Sequence, residues 1–311
     1  MVVKINNLVK RYKKEVLAVD HFNMEIAQGE VLGLLGPNGS GKTTTINCML
    51  SLLTYDKGEI DIFGKPMSPS RYDAKREIGV VMQNVAVFED LTVYENIDYF
   101  CGLYIKDRNI RKKYIDEVIE FVALQEQVKF LPGKLSGGLL RRLHIACGVA
   151  HKPKLIIFDE PTVAVDPQSR NHILNGIMEL NRLGATIVYT SHYMEEVEQI
   201  CSRIIIMDSG KKIAEGTKEE LKRMIKTGET IRIDVLNIDK NQLEQIKSLP
   251  NVFAVDYENE SLTIRLTQGK DNLIRILGYF SQNNLAHGQV LSELPTLIDV
   301  FLEITGKKLR D

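Results

Sequence analysis

Short apolar runs alternate with helical patterns along the first two thirds of the chain. Val31–Leu35 and residues 78–82 are apolar throughout, and similar runs follow at 155–158, 186–189 and 204–207. Runs this short and this uniformly apolar are typical of buried strands in a parallel sheet. Because a helical pattern precedes each of the last three runs, we predict an α/β core.

Two segments near the N-terminus also have a strand pattern. Residues 2–9 and 22–28 are predicted edge strands on either side of a turn at residues 13–15, and we expect them to form an antiparallel β-subdomain. After Val31–Leu35, a glycine-rich loop leads into a predicted helix from about residue 42 to residue 53.

A helical stretch at about residues 84–150 interrupts the alternation of strands and helices. Within it, residues 110–124 carry Ile115, Val118, Ile119 and Val122 on one face, as an amphipathic helix requires. We therefore predict a helical insertion into the α/β core.

The pattern changes after about residue 221, where shorter and less uniformly apolar segments begin. The predicted order β-α-β-β-α-β resembles that of a small ferredoxin-like domain, and a closing helix follows at residues 295–305. We predict a larger domain at residues 1–221 and an accessory α+β domain at 222–311. The individual segments are strands at 231–236, 252–257, 262–266 and 289–291, and helices at 241–248 and 271–280.

Composition restricts the class of protein. Apolar residues make up 44% of the chain and charged residues 26%, with a formal net charge of -1, so no basic field favours nucleic acid. No apolar run approaches the roughly 20 residues that span a bilayer, and the N-terminus lacks a signal-peptide core, so we expect a cytosolic chain. The scattered cysteines are expected to be buried thiols and not a disulfide framework: Cys48, Cys101, Cys147 and Cys201.

The glycine-rich loop matches the phosphate-binding pattern G-x-x-x-x-G-K-[ST]. Its glycines let backbone amides turn toward phosphate oxygens, and the N-terminus of the following helix adds positive potential. The lysine is predicted to reach the β- and γ-phosphates of a nucleotide, and the first threonine to hold Mg²⁺. The predicted nucleotide ligands are Gly36, Pro37, Asn38, Gly39, Ser40, Gly41, Lys42, Thr43 and Thr44.

Two adjacent carboxylates end the apolar run at residues 155–158. Asp159 at the strand end is expected to anchor the water shell of Mg²⁺, and Glu160 to orient and polarise the attacking water. Strands that end in surface carboxylates are common, so this pair alone does not indicate a function. The phosphate loop upstream is what favours a catalytic role for the two carboxylates.

With these elements in order, residues 1–220 resemble the ABC ATPase family. The most specific element is the signature motif, which here reads Leu-Ser-Gly-Gly-Leu-Leu-Arg-Arg at residues 135–142. Ser136 stands where a helix should begin and can cap it. The resemblance implies that Ser136, Gly137 and Gly138 face the γ-phosphate of an ATP held by another subunit.

The resemblance also assigns single residues. It implies that Tyr12 stacks on adenine, and that Gln83 contacts Mg²⁺ and senses the membrane subunits. Asp166 matches the D-loop at the subunit interface, and His192 the switch histidine that contacts the γ-phosphate and holds water near Glu160. His144 and His151 lack such placement, and we interpret them as ordinary helix residues.

The sequence departs from the family pattern at two places. Leu139 replaces the glutamine that usually follows Ser-Gly-Gly, so any side-chain hydrogen bond to the opposing nucleotide is lost. Ala164-Val165 stands where the family's D-loop usually has Gly-Leu. These changes put the tuning of dimer closure in doubt but leave Lys42 and the catalytic residues in place.

The family geometry implies a dimer of cassettes that face head to tail with two ATPs between them. The chain holds one set of motifs, so we predict a homodimer or pairing with a sister subunit, with ATP binding closing the dimer and hydrolysis reopening it. Motion would pass through residues 83–91 to integral-membrane permease subunits, which would hold the chain at the cytoplasmic face of the membrane.

An exporter is the predicted type of transporter. Residues 88–96 resemble ATPases of ABC-2 exporters, and residues 294–306 resemble the tail of drug- and antibiotic-exporting members. The cargo remains open among antibiotics, peptides, lipids and polysaccharides.

Two other functions are compatible with a nucleotide-binding chain. A soluble cassette ATPase acting on DNA or ribosomes would be expected to have long coiled coils, zinc modules or a second cassette, and this sequence has none of them. A regulatory module that binds ATP without hydrolysis is favoured by Leu139 and Ala164 but opposed by Glu160 and His192.

Overall fold

The computed structural model describes residues 1–13 and 16–306. Of the turn predicted at residues 13–15, residues 14 and 15 lie outside the described part, as do residues 307–311 of the predicted accessory domain. The chain divides into two compact units. The first runs over Met1–Thr217, and the second contains the described residues from Lys218 onward.

The first unit is built on a six-stranded sheet whose centre is uniformly apolar. The strand order is β10-β9-β3-β8-β7-β6, and all neighbours are parallel except β9 and β10. Every residue of β3 and β7 is buried, as expected for strands covered on both faces. The strands are β3 (Val31–Leu35), β6 (Ile78–Val81), β7 (Leu155–Asp159), β8 (Thr186–Ser191), β9 (Arg203–Asp208) and β10 (Lys211–Gly216).

A second sheet of the first unit is antiparallel and has the order β2-β1-β4-β5. Its strands are β1 (Val3–Tyr12), β2 (Val16–Ile26), β4 (Lys57–Ile62) and β5 (Lys65–Pro66). The prediction of an antiparallel β-subdomain is confirmed, but β1 is not an edge strand, because it pairs with β2 on one side and β4 on the other. The local pattern could not reveal β4, which follows 45 residues after β1 ends.

Helices cover the sheet and form the predicted insertion. The helix after the phosphate loop begins at Lys42 as predicted but ends at Met49 instead of residue 53, because Ser51 adopts a positive φ of 55° and reverses the chain. Helices of the first unit are α1 (Lys42–Met49), α2 (Tyr72–Lys75), α3 (Val93–Gly102), α4 (Arg108–Phe121), α5 (Gly137–Val149), α6 (Pro167–Arg182) and α7 (Met194–Ile200).

The insertion consists of α3, α4 and α5. α4 buries Ile115, Val118 and Ile119 on the predicted face, and Val122 is buried just beyond its end. Thr92 and Glu95 form a capping box that starts α3, and Asp107 caps α4. The side chain of Ser136 accepts a hydrogen bond from the amide of Leu139, which confirms it as the N-cap of α5.

The second unit has the predicted order of strands and helices. Its antiparallel sheet has the order β12-β13-β11-β14, which is the arrangement of a split βαβ, ferredoxin-like domain. One face carries an apolar core that includes Ile231, Ile264 and Phe280. The elements are α8 (Lys218–Arg223), β11 (Glu229–Asp234), α9 (Lys240–Lys247), β12 (Val252–Glu258), β13 (Ser261–Leu266), α10 (Asn272–Gln282), β14 (Val290–Glu293) and α11 (Leu297–Thr305).

Within the described residues, no helix is long and apolar enough to cross a membrane. The four cysteines are buried and unpaired, as predicted.

Candidate active site

The phosphate loop joins β3 to α1 and is packed too tightly for side chains at two of its glycines. A Cβ on Gly41, whose φ is 106°, would lie 2.5 Å from the carbonyl oxygen of Ala18. A Cβ on Gly36 would collide with the carbonyl oxygen of Met207. The loop is braced by the amide of Gly210, which donates to the carbonyl oxygen of Ser40 at 2.9 Å. The glycines therefore serve backbone packing as well as approach by a ligand.

Lys42 is almost fully buried at the start of α1, with 6% exposure. Its Nζ donates to the carbonyl oxygens of Gly36 at 2.7 Å and Pro37 at 3.3 Å. The same ammonium lies 3.3 Å from Oε1 of Glu160. A buried cation held by the loop is a ready partner for phosphate oxygens, which would compete with Glu160 for it.

Asp159 is fully buried at the carboxyl end of β7 and accepts two hydroxyl hydrogen bonds. Thr43 Oγ1 donates to its Oδ2 at 3.0 Å, and Thr190 Oγ1 donates to its Oδ1 at 2.6 Å. These groups meet because β3, β8 and β7 are neighbours, so their carboxyl ends open at one edge of the sheet. Carboxylate and hydroxyl oxygens are the ligand type that Mg²⁺ takes.

Glu160 follows Asp159 in a strained backbone conformation, with a φ of 51°. Its amide donates to the carbonyl oxygen and the Oγ1 of Thr190, at 3.2 and 3.0 Å. Its carboxylate, 4% exposed, points between Lys42 and His192. A left-handed glutamate that costs on the order of 1–2 kcal/mol is retained where the chain needs that direction for its side chain.

His192 comes directly after β8, and its Nδ1 donates to Oε2 of Glu160 at 2.8 Å. The imidazole also packs on the ring of Tyr193, with 4.1 Å between ring centroids. The structure therefore brings together Lys42, Thr43, Asp159, Glu160 and His192, all predicted from the sequence. A carboxylate beside an imidazole and an ammonium is suited to orient and deprotonate water next to a phosphate.

A buried carboxylate that the sequence analysis missed lies beneath this site. Oε2 of Glu196 accepts hydrogen bonds from Thr162 at 2.8 Å, Tyr189 at 2.7 Å and Ser191 at 3.0 Å. Burial, with Glu196 beside it, raises the pKa of Tyr189 well above its ordinary value. The network connects the segment after Glu160 to the residue before His192. A glutamate on the buried face of α7 was the only sequence signal.

Signature and D-loop residues occupy two helix N-termini. Ser136 and Gly137 are exposed at the start of α5, whereas Gly138 is buried, and a Cβ there would collide with Ser169. Asp166 caps α6 by accepting from the amide of Ser169 at 2.9 Å, which lowers its pKa. Among the hydrogen bonds of the described residues, none joins the signature to the phosphate loop.

Tyr12 and Gln83 are placed more loosely than the other predicted ligands. The hydroxyl of Tyr12 lies 3.5 Å from Oγ1 of Thr44, and 40% of Tyr12 is exposed beside the loop. The Gln83 side chain is exposed and has no hydrogen-bond partner among residues 1–13 and 16–306, while its carbonyl oxygen is bound by Arg141. Neither side chain is hydrogen-bonded to Asp159, whose side-chain partners are Thr43 and Thr190.

Arg141 is a second residue that the sequence analysis did not single out. It lies one turn into α5, is 3% exposed, and donates to main-chain oxygens on both sides of the active site. Burial lowers the pKa of its guanidinium. An arginine among the mostly apolar residues that follow the signature glycines is the signal that could have found it.

The two histidines interpreted as helix residues differ in position. His144 lies in α5, but His151 follows the end of the helix and stacks on Tyr104, with 3.9 Å between centroids, so its placement in a helix was wrong. Burial lowers the pKa of each to about 4. Neither contacts the active-site carboxylates.

The chain is similar to known proteins along its whole length. A family model described as ABC transporter matches residues 19–163. The chain is 38% identical to the linearmycin resistance ATP-binding protein of Bacillus subtilis, over 99% of this chain and 100% of that protein. It is 32% identical to the Nod factor export ATP-binding protein I of Sinorhizobium fredii, over 99% of this chain and 87% of that one.

Solved structures are similar to the first unit. One is a dimeric, post-hydrolysis ATP-binding cassette bound to ADP and Pi. It matches with a TM-score of 0.64 and 29% identity, covering 69% of this chain and 98% of the cassette. The ATP-binding subunit of an ABC transporter matches with a TM-score of 0.66, covering 72% of this chain and 93% of that one, and its 23% identity supports the fold alone.

Proposed function

The chain belongs to the ABC transporter family as an ATP-binding and ATP-hydrolysing subunit, and we propose that its active site is half of a composite ATP site. The observation that carries the proposal is the group Lys42, Glu160 and His192, in which one carboxylate lies 3.3 Å from an ammonium and 2.8 Å from an imidazole. The match to the ABC transporter model and the export-related relatives argue against a DNA- or ribosome-acting ATPase. The post-hydrolysis state of the matched dimeric cassette argues against a non-hydrolysing module.

Each residue of this half-site has a role in hydrolysis. Free main-chain amides of the loop at residues 36–44, in which Pro37 has no N–H to offer, and Nζ of Lys42 bind the phosphates, because the loop leads into the N-terminus of α1. Glu160 orients the attacking water and accepts its proton. His192 fixes the carboxylate through Oε2 and contacts the γ-phosphate, so charge that develops in the transition state meets preorganised donors.

Mg²⁺ is the metal we propose for this site. Thr43 and Asp159 would hold it, with Gln83 approaching from its exposed loop, and the ion would supply charge neutralisation on the phosphates. Within residues 1–13 and 16–306, no three His, Cys, Asp or Glu side chains converge as a metal site. That fits an ion that takes several of its oxygens from the nucleotide and water.

The other half of the site comes from a second cassette, in a homodimer or with a sister subunit. Ser136 and Gly137 are exposed at the N-terminus of α5, where the helix dipole and free amides attract an anion. Asp166 is exposed at the start of α6 and would lie at the same interface, next to Gly138. The dimeric cassette that matches at 29% identity supports this arrangement.

Adenine is proposed to stack on Tyr12. The ring is 40% exposed, and its hydroxyl lies beside Thr44 at the end of the phosphate loop. Aromatic stacking on a purine is worth roughly 1–3 kcal/mol where it has been measured for nucleic-acid bases.

Integral-membrane permease subunits are the proposed partners, at the cytoplasmic face of the membrane. Their contact would be the aromatic patch that we define as Phe88, Tyr99 and Phe100. The ring of Phe88 lies 4.8 Å from Tyr99 and 5.8 Å from Phe100, and Phe88 and Tyr99 are 44% and 47% exposed. Phe88 of this patch stands at position 88 and Gln83 at position 83, so motion at the patch would reach the nucleotide site through a short segment.

Export is the direction of transport that we infer. The two relatives named above are a linearmycin resistance ATP-binding protein and a Nod factor export ATP-binding protein. We propose an antibiotic-like cargo. Deletion of the gene should lower the minimum inhibitory concentration of at least one antibiotic in a panel, and unchanged inhibitory concentrations throughout the panel would contradict the proposal.

The central experiment uses Glu160→Gln in the full-length protein. Binding of a fluorescent ATP analogue should remain, turnover should fall by about 10²–10⁴-fold, and ATP should trap a dimer seen by light scattering. Equal hydrolysis by variant and wild type would remove Glu160 from catalysis. Purification from membranes in mild detergent tests the partner: recovery without any integral-membrane protein would contradict the proposed assembly.

A further inference from the structure

The guanidinium of Arg141 joins two segments of the active site through their main chains. Its Nε donates to the carbonyl oxygen of Pro161 at 2.6 Å, and its Nη2 donates to that of Glu160 at 2.5 Å. Its Nη1 donates to the carbonyl oxygens of Gln83 at 2.7 Å and Met82 at 3.2 Å. One side chain of α5 thus binds the loop after β7 and the loop after β6.

The burial of Arg141 is not explained by a contribution to the stability of the fold. Arg141 is 3% exposed, and among the described residues no carboxylate lies within ion-pair distance of its guanidinium. A buried cation with only carbonyl partners loses its hydration without a full countercharge, and well-packed apolar residues often stabilise a protein as well or better. What an apolar residue cannot do is fix four main-chain oxygens in one planar array.

The geometry of Glu160 depends on that array. Its φ is 51°, so its backbone is held in a conformation that a glutamate rarely adopts. Thr190 holds the amide of Glu160, and Arg141 holds its carbonyl oxygen. With both ends fixed, the carboxylate is directed at Lys42 and His192.

The same helix also carries the residue that faces the second cassette. Ser136 caps α5, and Arg141 lies five positions later on its buried side. A helix turn transmits displacement almost rigidly, so a shift of Ser136 moves the guanidinium and the carbonyl oxygens bound to it.

We propose that Arg141 is a positioning residue for hydrolysis, which ties the backbones of Glu160 and Gln83 to α5. Docking of Ser136 on the nucleotide of the second cassette thereby aligns the catalytic glutamate of its own chain. This inference rests on the composite site proposed above.

The test is Arg141→Lys in the full-length protein, because lysine keeps the charge but cannot bridge all four oxygens. We expect kcat to fall by about 10–100-fold, as for small misplacements of catalytic groups. KM and the Kd of a fluorescent ATP analogue should change by less than about threefold, because binding groups are untouched. ATP should still trap a dimer of Glu160→Gln/Arg141→Lys.

Arg111→Lys is the matched control. Arg111 on α4 also donates to a main-chain oxygen, that of Ile105 at 3.3 Å, and pairs with Asp98 at 2.7 Å, away from the phosphate loop. Its kcat should equal that of the wild type. Arg141→Gln, which also removes the charge, should lower kcat at least as far as Arg141→Lys.

Two results overturn the proposal. The first is wild-type kcat in Arg141→Lys. The second is loss of ATP binding and folded structure in both Arg141 variants, which would make the residue part of the fold and not a positioning group. Glu160→Gln distinguishes failure of the proposed function from failure of this inference. If Glu160→Gln hydrolyses ATP as the wild type does, the proposed function fails. If Glu160→Gln is inactive while Arg141→Lys is fully active, only the inference about Arg141 fails.

Discussion

Both units of the chain combine strands and helices, but they differ in what they bury. The first unit buries charged or titratable side chains around the carboxyl ends of parallel strands, including Lys42, Arg141, Asp159, Glu160 and Glu196. In the described part from Lys218 onward, the buried polar side chains are uncharged: Thr227, Thr230 and Asn272. Burying charge is costly unless it is paired, so the first unit maintains a reactive site and the second a conventional core.

The topology explains the difference. In a parallel sheet, polar side chains at several strand ends meet at one edge, and Thr190 joins Asp159 there. In the antiparallel sheet of the second unit, strand ends alternate between edges, and its charges pair on the surface, as Arg265 does with Asp256 at 2.7 Å. Buried charge is therefore the feature by which the comparison can be tested.

Among the substitutions that compare the two units, the largest effect is expected for Lys42→Ala. Loss of the only ammonium on the phosphate loop should lower ATP hydrolysis by about 10²–10³-fold, since one preorganised group in a charge-stabilising site is worth that much. A coupled phosphate-release assay measures it. Lys247→Ala is the control, because Lys247 is an exposed partner of Glu244 in the second unit. Equal losses of ATP hydrolysis in both variants would mean that the buried ammonium of the first unit has no special role.

Core truncation in the second unit should affect stability and not turnover. Ile264 is fully buried in the apolar core, so Ile264→Ala should lower the unfolding free energy of that unit by about 2–5 kcal/mol. Urea unfolding followed by fluorescence and circular dichroism measures the loss. The kcat of the folded protein should stay within about twofold. A kcat loss as large as that of Lys42→Ala would show that the second unit takes part in hydrolysis.

Acid should destabilise the first unit through its buried histidines. Burial lowers the pKa of His144 and His151 to about 4, from an ordinary 6.5. The unfolded chain therefore takes up their protons first, so stability is fully present above pH 6.5 and is lost as pH falls toward 4. At pH 5 each histidine should lower the free energy of unfolding by roughly 2 kcal/mol relative to neutral pH.

His151→Phe isolates one of these contributions while keeping an aromatic ring against Tyr104. Urea unfolding at pH 7 and pH 5 should show a smaller difference in unfolding free energy for this variant than for the wild type. An unchanged pH dependence would mean that His151 is not a source of the acid sensitivity.

The smallest effect is expected for Asp256→Asn. The pair with Arg265 is well exposed, at 36% and 59% of the side chains, and such pairs contribute at most about 1 kcal/mol. Thermal unfolding should shift by a few degrees or less, with unchanged hydrolysis. A larger shift would mean that this ion pair contributes more to stability than an exposed surface pair is expected to.

Much of the site was readable from the chain because its chemistry is local. The phosphate loop needs contiguous glycines before a helix, and Asp159 and Glu160 are adjacent at a strand end. Ser136 is a residue type that caps helices, so it predicts the start of α5. His192 also needed its place after a strand, which the apolar run at residues 186–189 supplied.

Other features depended on contacts between distant segments. The interior position of β1 came from pairing with β4, and the end of α1 at Met49 from a reversal at Ser51. The Glu196 network joins residues up to 34 positions apart. No window of sequence contains both partners of such a bond.

The sequence by itself determined the α/β core, the ferredoxin-like order of the second unit and the motif residues that we propose bind and cleave ATP, because periodicity and short motifs encode them locally. Only the tertiary structure decided that Arg141 would hold Glu160 and Gln83 together. Its hydrogen bonds run to main-chain oxygens, which every residue carries and which no residue type reveals.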